Sequence, residues 1–161
     1  MEYITLAVLV FISHAWGTAT AAHAPPNPVK MKHDIMWRSN QLLNKLVEKK
    51  YPNNATILGP PDQVDGLSSL TSLLEGYEDL IPSSESQVKA EIKSLKGFLD
   101  LWKKRHCGGD DRVKSTPAAG SALQLLQSYR TFVPIINVQA HLRVKNILTQ
   151  LKDNKGNLDK C

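Results

Sequence analysis

The stretch "LSSLTSLLEGYEDLIPSSESQ" (residues 67–87) ends one helical pattern and begins another. Its apolar side chains recur at intervals of three and four residues, which is the spacing that aligns them on one face of an α-helix. Pro82 ends the pattern, because proline lacks the amide hydrogen that a helix interior needs. About three residues therefore separate two helices, and so short a connection requires the helices to run antiparallel.

Apolar side chains show the same spacing elsewhere in the chain, and four patterns result. They cover residues 29–50, 67–81, 84–106 and 121–152. The last pattern passes through Pro134, and an interior proline costs a helix about 3 kcal/mol. We therefore expect a break near Thr131, with a short helix at 121–130 and a main one at 132–152. Helical spacing without strand alternation predicts an all-α bundle.

The core face of each helix follows from its pattern. On the first helix the spacing assigns this face to Val29, Met36, Leu43 and Val47, widened by Ile35, Leu42 and Leu46. Trp37 on the first helix and Phe98 on the third each lie at the edge of the apolar stripe of their helix. Aromatic side chains at such an edge either complete a wide core stripe or anchor an interface, and the sequence leaves both interpretations open for Trp37 and Phe98.

Two long connections complete the expected topology. Residues 51–66 could span about 50 Å when extended, which exceeds the length of about 33 Å expected for the first helix. The connection at 107–131 is longer still. Two long crossover loops and one tight turn are typical of an up-up-down-down four-helix bundle, and this is the fold that we predict.

The first residues of the chain indicate a leader. "ITLAVLVFISHAW" (residues 4–16) is apolar and uncharged, and the small-residue stretch "GTATAA" follows it. The apolar run is shorter than the roughly 20 residues of a membrane span and is typical of a signal peptide. Because Glu2 gives this leader an acidic start, a buried N-terminal helix is the alternative. We expect a signal peptide at 1–22, one domain at 23–161 and a secreted protein without a membrane-inserted segment.

The chain has two cysteines, Cys107 and Cys161. Secretion exposes them to an oxidising compartment, in which we expect them to form a disulfide. Closing so long a loop would stabilise the fold by about 4 kcal/mol in the chain-entropy model. Since Cys107 follows the third helix and Cys161 follows the last one, the bond would join the C-terminal ends of these two helices.

The sequence predicts no enzyme, because the patterns of catalytic residues are missing from it. There is no His-Glu-x-x-His sequence, no glycine-rich phosphate loop and no nucleophile elbow. We therefore expect no metal and no cofactor, and we interpret His33 and His141 as surface or boundary residues. Asn54-Ala55-Thr56 matches an N-glycosylation acceptor in the first crossover loop.

The charge favours a solvated surface over a nucleic-acid or heparin partner. Removal of residues 1–22 would change the formal net charge from +5 to +6, because Glu2 is the only charged residue in that segment. The basic residues alternate with acidic ones along the helices and form no single block in the sequence. We expect no nucleic-acid binding.

Three segments of the chain resemble leptins, most closely those of fish. They read "VKMKHDIMWRSNQLLNKLVEKKYP" (29–52), "DQVDGLSSLTSLLEGYEDLI" (62–81) and "VKAEIKSLKGFLDLWKKRHC" (88–107), and the final cysteine is a further match. The resemblance implies a long-chain four-helix cytokine hormone that is a monomer when free. It also implies that the hormone binds the ectodomain of a class I cytokine receptor, such as a leptin receptor, and signals in energy balance. The disulfide would matter for folding and activity.

The resemblance also implies two receptor-binding surfaces. The first, on the first and third helices, would contain Asp34, Arg38, Lys45, Gln87, Ser94 and Phe98. The second would combine the first crossover loop with the start of the last helix, through Ile57, Leu58 and Thr131. The match to the family is poorer in this loop, and Pro134 departs from the family pattern.

Two other classes of protein remain open from the residues alone. A secreted carrier would enclose an apolar ligand, such as a lipid, between the apolar faces of its helices. A basic amphipathic protein acting on membranes would gain helicity only on anionic vesicles. The first predicts a sizeable internal cavity, and cooperative folding in buffer would argue against the second.

Overall fold

The structure is a computed structural model that describes residues 27–51, 55–108, 121–128 and 133–161. In these ranges every regular secondary-structure element is a helix, and there is no strand. The α-helices are α1 (Pro28–Glu48), α2 (Leu67–Leu80), α3 (Ser86–His106), α4 (Ser121–Ser128) and α5 (Val133–Asp153). Two short 3₁₀ turns, Ser83–Glu85 and Lys155–Asp159, precede α3 and follow α5. The predicted all-α class is confirmed, while the segment predicted to be a signal peptide lies outside the described residues.

The helix boundaries agree with those predicted from the apolar spacing. The helix α1 begins with Pro28, and Asn27 caps it by accepting a hydrogen bond of 2.9 Å from the amide of Val29. In α5, Pro134 lies in the first turn, where the missing amide hydrogen costs no helical hydrogen bond. Local sequence therefore determines where these helices begin.

Four long helices enclose one apolar core. The helix α1 packs mainly on α3 and α5, and α2 packs mainly on the same two helices. The short α4 lies against α2, where Leu123 is buried. The largest fully buried apolar side chains of the core are Ile35, Leu42, Leu46, Leu67, Leu70, Leu73, Leu74, Tyr77, Ile81, Ile92 and Leu95. The apolar faces pack on one another, which is consistent with the predicted four-helix bundle.

The core face of α1 differs from the prediction at both ends of the helix. Val29 and Val47 are 76% and 56% exposed, whereas Met31 and Ser39 are buried. Ser39 is tolerated in the core because its hydroxyl donates a hydrogen bond of 2.8 Å to the carbonyl of Ile35. The prediction considered only apolar residues and therefore did not assign Ser39 to the core. The buried face of α1 is rotated by part of a turn from the predicted one.

The predicted disulfide between Cys107 and Cys161 is present, with the two Cα atoms 5.7 Å apart. It fixes the tail, which we define as residues 154–161, against several helix ends. The indole of Trp102 donates a hydrogen bond of 2.6 Å to the carbonyl of Leu158. At the start of α2, the amide of Leu67 donates one of 2.9 Å to the carbonyl of Lys160. The tail thus closes one end of the bundle.

At the opposite end, the start of α3 contacts both α1 and α5. Glu85 forms an ion pair with Lys49, just after α1, and accepts a hydrogen bond of 2.9 Å from Asn137 of α5. Together with the tail contacts, these pairs identify which helix ends are close in space.

The residues 55–66, which we call the strap, lie along α5. Amide side chains of α5 and the tail hold it by bonds to its backbone. These bonds are Gln139 to Thr56 (2.7 Å), Gln150 to Asp62 (2.7 Å) and Asn157 to Val64 (2.8 Å), all donated to carbonyl oxygens. Three carbonyl oxygens of the strap therefore have donors on α5 and the tail.

A buried charged pair anchors the middle of the strap. Arg143 of α5 is fully buried and lies 3.2 Å from the carboxylate of Asp62, which is itself buried. The guanidinium also donates hydrogen bonds to the carbonyls of Pro60 and Leu58. Tyr77 of α2 donates one of 2.7 Å to Asp62, and burial raises the pKa of this tyrosine above its ordinary range. The strap, α2 and α5 share one buried polar network.

Candidate functional site

Arg38, Ser94 and Phe98 meet on the outer face of the α1–α3 pair. A guanidinium nitrogen of Arg38 donates a hydrogen bond of 3.0 Å to the hydroxyl of Ser94. The same guanidinium lies over the ring of Phe98, 4.1 Å from the ring centre, which is a cation–π contact. Phe98 also packs partly against the core. The structure therefore brings together three residues that the resemblance assigned to one surface.

A shallow groove of about 330 Å³ continues from this contact along the two helices. Lys45 forms an ion pair with Glu91 across it. Trp37 is 55% exposed at its edge, which is unusual for so large an apolar side chain. The groove is lined by Trp37, Arg38, Gln41, Lys45, Ala90, Glu91 and Ser94. We call these residues, with Phe98, the α1–α3 surface.

The remaining predicted residues of this surface lie farther along the helices. Asp34 is one turn before Arg38 on α1 and is partly exposed. Gln87 is exposed in the first turn of α3, one turn before Glu91. Sequence analysis missed Gln41, Ala90 and Glu91, although each lies three or four residues from a predicted member of the surface, and this spacing was the available signal.

The second predicted surface is described in part. Leu58 is 50% exposed, while its amide donates a hydrogen bond of 2.9 Å to Gln139 of α5. Ile57 is half-buried, and Thr131 lies outside the described residues. Ile135, one helical turn before Gln139, is 55% exposed and was missed by sequence analysis. Two exposed apolar side chains thus flank one anchoring amide. Asn54 also lies outside the described residues.

His141 is buried, and the prediction that it is a surface or boundary residue is wrong. Its Nε2 atom lies 3.0 Å from the carboxylate of Glu85 and 3.5 Å from the ammonium of Lys49. Burial, and then the charge of Lys49, lowers the pKa of His141 to about 4, although a backbone hydrogen bond with Asn137 opposes this shift. Because Lys49 already neutralises Glu85, we take His141 to be uncharged at neutral pH. His33, in contrast, is exposed as predicted.

The described residues contain no group of three His, Cys, Asp or Glu side chains that could hold a metal ion. Among the described helices, none is long and apolar enough to cross a membrane. What the bundle offers is a pair of helices with an aromatic and charged outer face. Such a surface has the composition of a protein-binding site.

The described residues form a helical bundle closed by one disulfide, with an aromatic and charged face on α1 and α3. In sequence, the chain is similar to leptins. It is 28% identical over 135 residues to a leptin from Takifugu rubripes, covering 82% of this chain and 80% of that protein. It is also 28% identical over 139 residues to a leptin from Tetraodon nigroviridis, covering 82% and 83% of the two chains. No family model and no solved structure matches the chain.

The similarity to leptins confirms the resemblance found in the sequence. It extends over most of the chain rather than over one motif. It also agrees with the prediction that the chain is not an enzyme, since both relatives are leptins.

Proposed function

We propose that the protein is a secreted, cytokine-like hormone that binds and activates a class I cytokine receptor of the leptin-receptor kind. The leptin-like sequence over 82% of the chain is the observation that carries this proposal. Its signalling would serve energy balance, as the resemblance implies. The exposed aromatic and charged composition of the α1–α3 surface gives the proposal a physical site.

The proposed topology is an up-up-down-down bundle with two long crossover loops. Contacts of the tail with Lys32 near the start of α1, with Leu67 at the start of α2 and with Trp102 near the end of α3 support it. So does the pairing of Glu85, just before α3, with Lys49 and Asn137. In this arrangement α1 and α3 run antiparallel and expose one continuous face.

The α1–α3 surface would supply affinity for the receptor. Arg and aromatic side chains contribute most to binding when a partner excludes water from them. Arg38 is already oriented by Ser94 and Phe98, so that little conformational entropy would be lost on binding. One atom of this side chain, Nε, is buried without a hydrogen-bond partner in the described structure.

The second surface would supply activation, by contacting a further receptor chain. Its described part is Ile57, Leu58 and the exposed start of α5 at Ile135. Thr131 is retained in this proposal from the resemblance. The strap's anchoring to Gln139 and Arg143 supports a fixed position for Leu58.

Cells that carry a leptin receptor and a transcriptional reporter test the proposal. Ile57→Ala with Leu58→Ala should bind these cells normally and fail to activate the reporter. Arg38→Ala with Phe98→Ala should fail in both, because it removes the affinity contacts. The control is Lys145→Ala, which alters a partly exposed residue of α5 and should behave as wild type. Urea unfolding of each variant shows whether the fold is retained. Equal loss of binding and signalling in a folded Ile57/Leu58 variant would contradict the division into two surfaces.

The remaining parts of the proposal concern secretion, domain extent, glycosylation and oligomeric state. We propose that residues 1–22 direct secretion, that 23–161 form one domain, that Asn54 is a glycosylation acceptor and that the free hormone is a monomer. The lipid-carrier alternative is not favoured, because the apolar faces of the long helices are buried against one another in one core.

A further inference from the structure

Among the described residues, the two ends of the bundle differ in the sign of their charge, which the sequence order conceals. We define the disulfide end as residues 27–33, 65–68, 100–107 and 152–161, because the tail joins these segments. The disulfide end contains eight Lys and Arg residues and four Asp and Glu residues. Its basic residues are Lys30, Lys32, Lys103, Lys104, Arg105, Lys152, Lys155 and Lys160, and its acidic ones are Asp65, Asp100, Asp153 and Asp159.

The opposite end consists of residues 45–51, 75–81, 83–91 and 133–141. It contains four basic and six acidic residues, so its sign is reversed. The basic ones are Lys45, Lys49, Lys50 and Lys89, and the acidic ones are Glu48, Glu75, Glu78, Asp79, Glu85 and Glu91. A protein whose charges served only for solubility would not need this segregation.

The tail contacts place the start of α1 and the last turn of α3, each of which carries basic residues, at the same end of the bundle. Lys32 of α1 forms an ion pair of 2.6 Å with Asp159 of the tail. His106, in the last turn of α3, lies 3.2 Å from the carbonyl of Asp159 and stacks on Trp102. The last turn of α3 is basic and contains Lys103, Lys104 and Arg105 before His106. Lys104 and Arg105 are exposed. Asp159 is thus already engaged by Lys32, which reduces the negative charge that an anion would meet.

We propose that the disulfide end binds sulfated glycosaminoglycan chains, through Lys103, Lys104 and Arg105 with support from Lys30 and Lys160. A cluster of basic side chains on one surface attracts a polyanion over a distance of many ångströms. The helix dipoles do not oppose this attraction, since the starts of α1 and α2 contact the same tail as the ends of α3 and α5, and their partial charges cancel.

The disulfide indicates which kind of polyanion the protein would meet. The bond between Cys107 and Cys161 indicates an oxidising compartment, where a sulfated glycan is the abundant linear polyanion and nucleic acid is not the expected partner. The surface lies at the end of the bundle, away from Lys45 and Glu91. Heparin binding is measured without a receptor, so the test of this proposal does not depend on receptor binding.

Binding of the disulfide-intact protein to a heparin octasaccharide, measured at several salt concentrations, tests the proposal. The wild type should bind at physiological ionic strength. The triple variant Lys103→Gln, Lys104→Gln and Arg105→Gln should bind about 10-fold more weakly or worse and lose about 2 from the log–log salt slope. The double variant Lys103→Gln with Lys104→Gln should show a smaller loss in the same direction. Urea unfolding establishes that each variant is folded.

The matched control removes three charges from elsewhere on the surface. Lys50→Gln, Lys89→Gln and Lys93→Gln change the net charge by the same amount and should leave heparin binding nearly unchanged. Equal losses in both triple variants would overturn the proposal, because net charge alone would then explain the binding. So would absence of wild-type binding, or equally tight binding to desulfated heparin, to a DNA oligonucleotide or to phosphatidylserine vesicles.

Discussion

Arg143→Met should destabilise the fold strongly, because it leaves a buried carboxylate without its cation. Arg143 is fully buried, and it donates hydrogen bonds to Asp62, Pro60 and Leu58. Methionine fills a similar volume but makes none of these bonds. Removing one member of a buried pair costs about 3–5 kcal/mol. Tyr77 alone would then remain as a partner of the Asp62 carboxylate.

Urea unfolding followed by circular dichroism measures this loss. With a slope of about 2 kcal/mol per molar urea, the midpoint should fall by about 1.5–2.5 M. Lys145→Met, a partly exposed change on the same helix, is the control and should move the midpoint little. A shift for Arg143→Met no larger than that of the control would refute the role assigned to the buried pair.

A second variant separates lost charge pairing from lost packing. Asp62→Asn keeps the oxygen that Tyr77 bonds but removes the negative charge. Combined with Arg143→Met, it should recover part of the stability, because no unpaired charge remains buried. Additive losses in the double variant would mean that the strap is held by its backbone bonds alone.

Three further predictions concern other parts of the fold. Gly76→Ala should loosen α4, because the added carbon would lie 2.1 Å from a methyl of Leu123. In a Leu123→Ala background, which lacks that methyl, the same change should stabilise α2 by about 1 kcal/mol. Equal effects of Gly76→Ala on urea unfolding in both backgrounds would exclude the contact. Cys161→Ser should lower stability by about 4 kcal/mol, measured against the oxidised wild type, while a loss below about 1 kcal/mol would show that the tail holds without its covalent bond. Because the pKa of His141 lies at about 4, below its ordinary 6.5, the unfolded chain binds more protons than the folded one between these values. Stability should therefore fall by about 3 kcal/mol as pH drops from 6.5 to 4. His141→Gln should flatten this part of the profile, and an unchanged slope would contradict a neutral buried histidine.

Helix positions were predictable because they depend on local sequence. Apolar spacing, Pro82 and Pro134 determined the boundaries of α2, α3 and α5 to within a few residues. The disulfide was predictable for a different reason, since a chain with two cysteines has one possible internal bond.

Buried polar residues were not predictable in the same way, because their partners are distant in sequence. Arg143 of α5 donates a hydrogen bond to a strap residue more than 80 positions earlier in the sequence. His141 of α5 contacts Glu85, which lies just before α3. An arginine and a histidine are normally assigned to the surface when no partner is known. Ser39 was missed for the opposite reason, since its partner is the carbonyl one turn before it in α1.

The candidate surfaces show the same division. The resemblance identified Arg38, Ser94 and Phe98, and the packing of α1 on α3 explains why they touch. Composition alone gave no reason to choose Glu91 or Ile135. The polarity of charge between the bundle ends was also invisible in the sequence, because folding brings the basic residues of α1, α3 and the tail together.

The affinity of the oxidised protein for a monomeric leptin-receptor ectodomain, measured by surface plasmon resonance, tests the central proposal most directly. We expect saturable one-to-one binding that weakens at least about 10-fold in Arg38→Ala, a loss of about 1.4 kcal/mol, and stays unchanged in Lys145→Ala. Absence of binding by folded, disulfide-intact protein, or equal affinity of wild type and Arg38→Ala, would contradict a receptor-binding role for the α1–α3 surface.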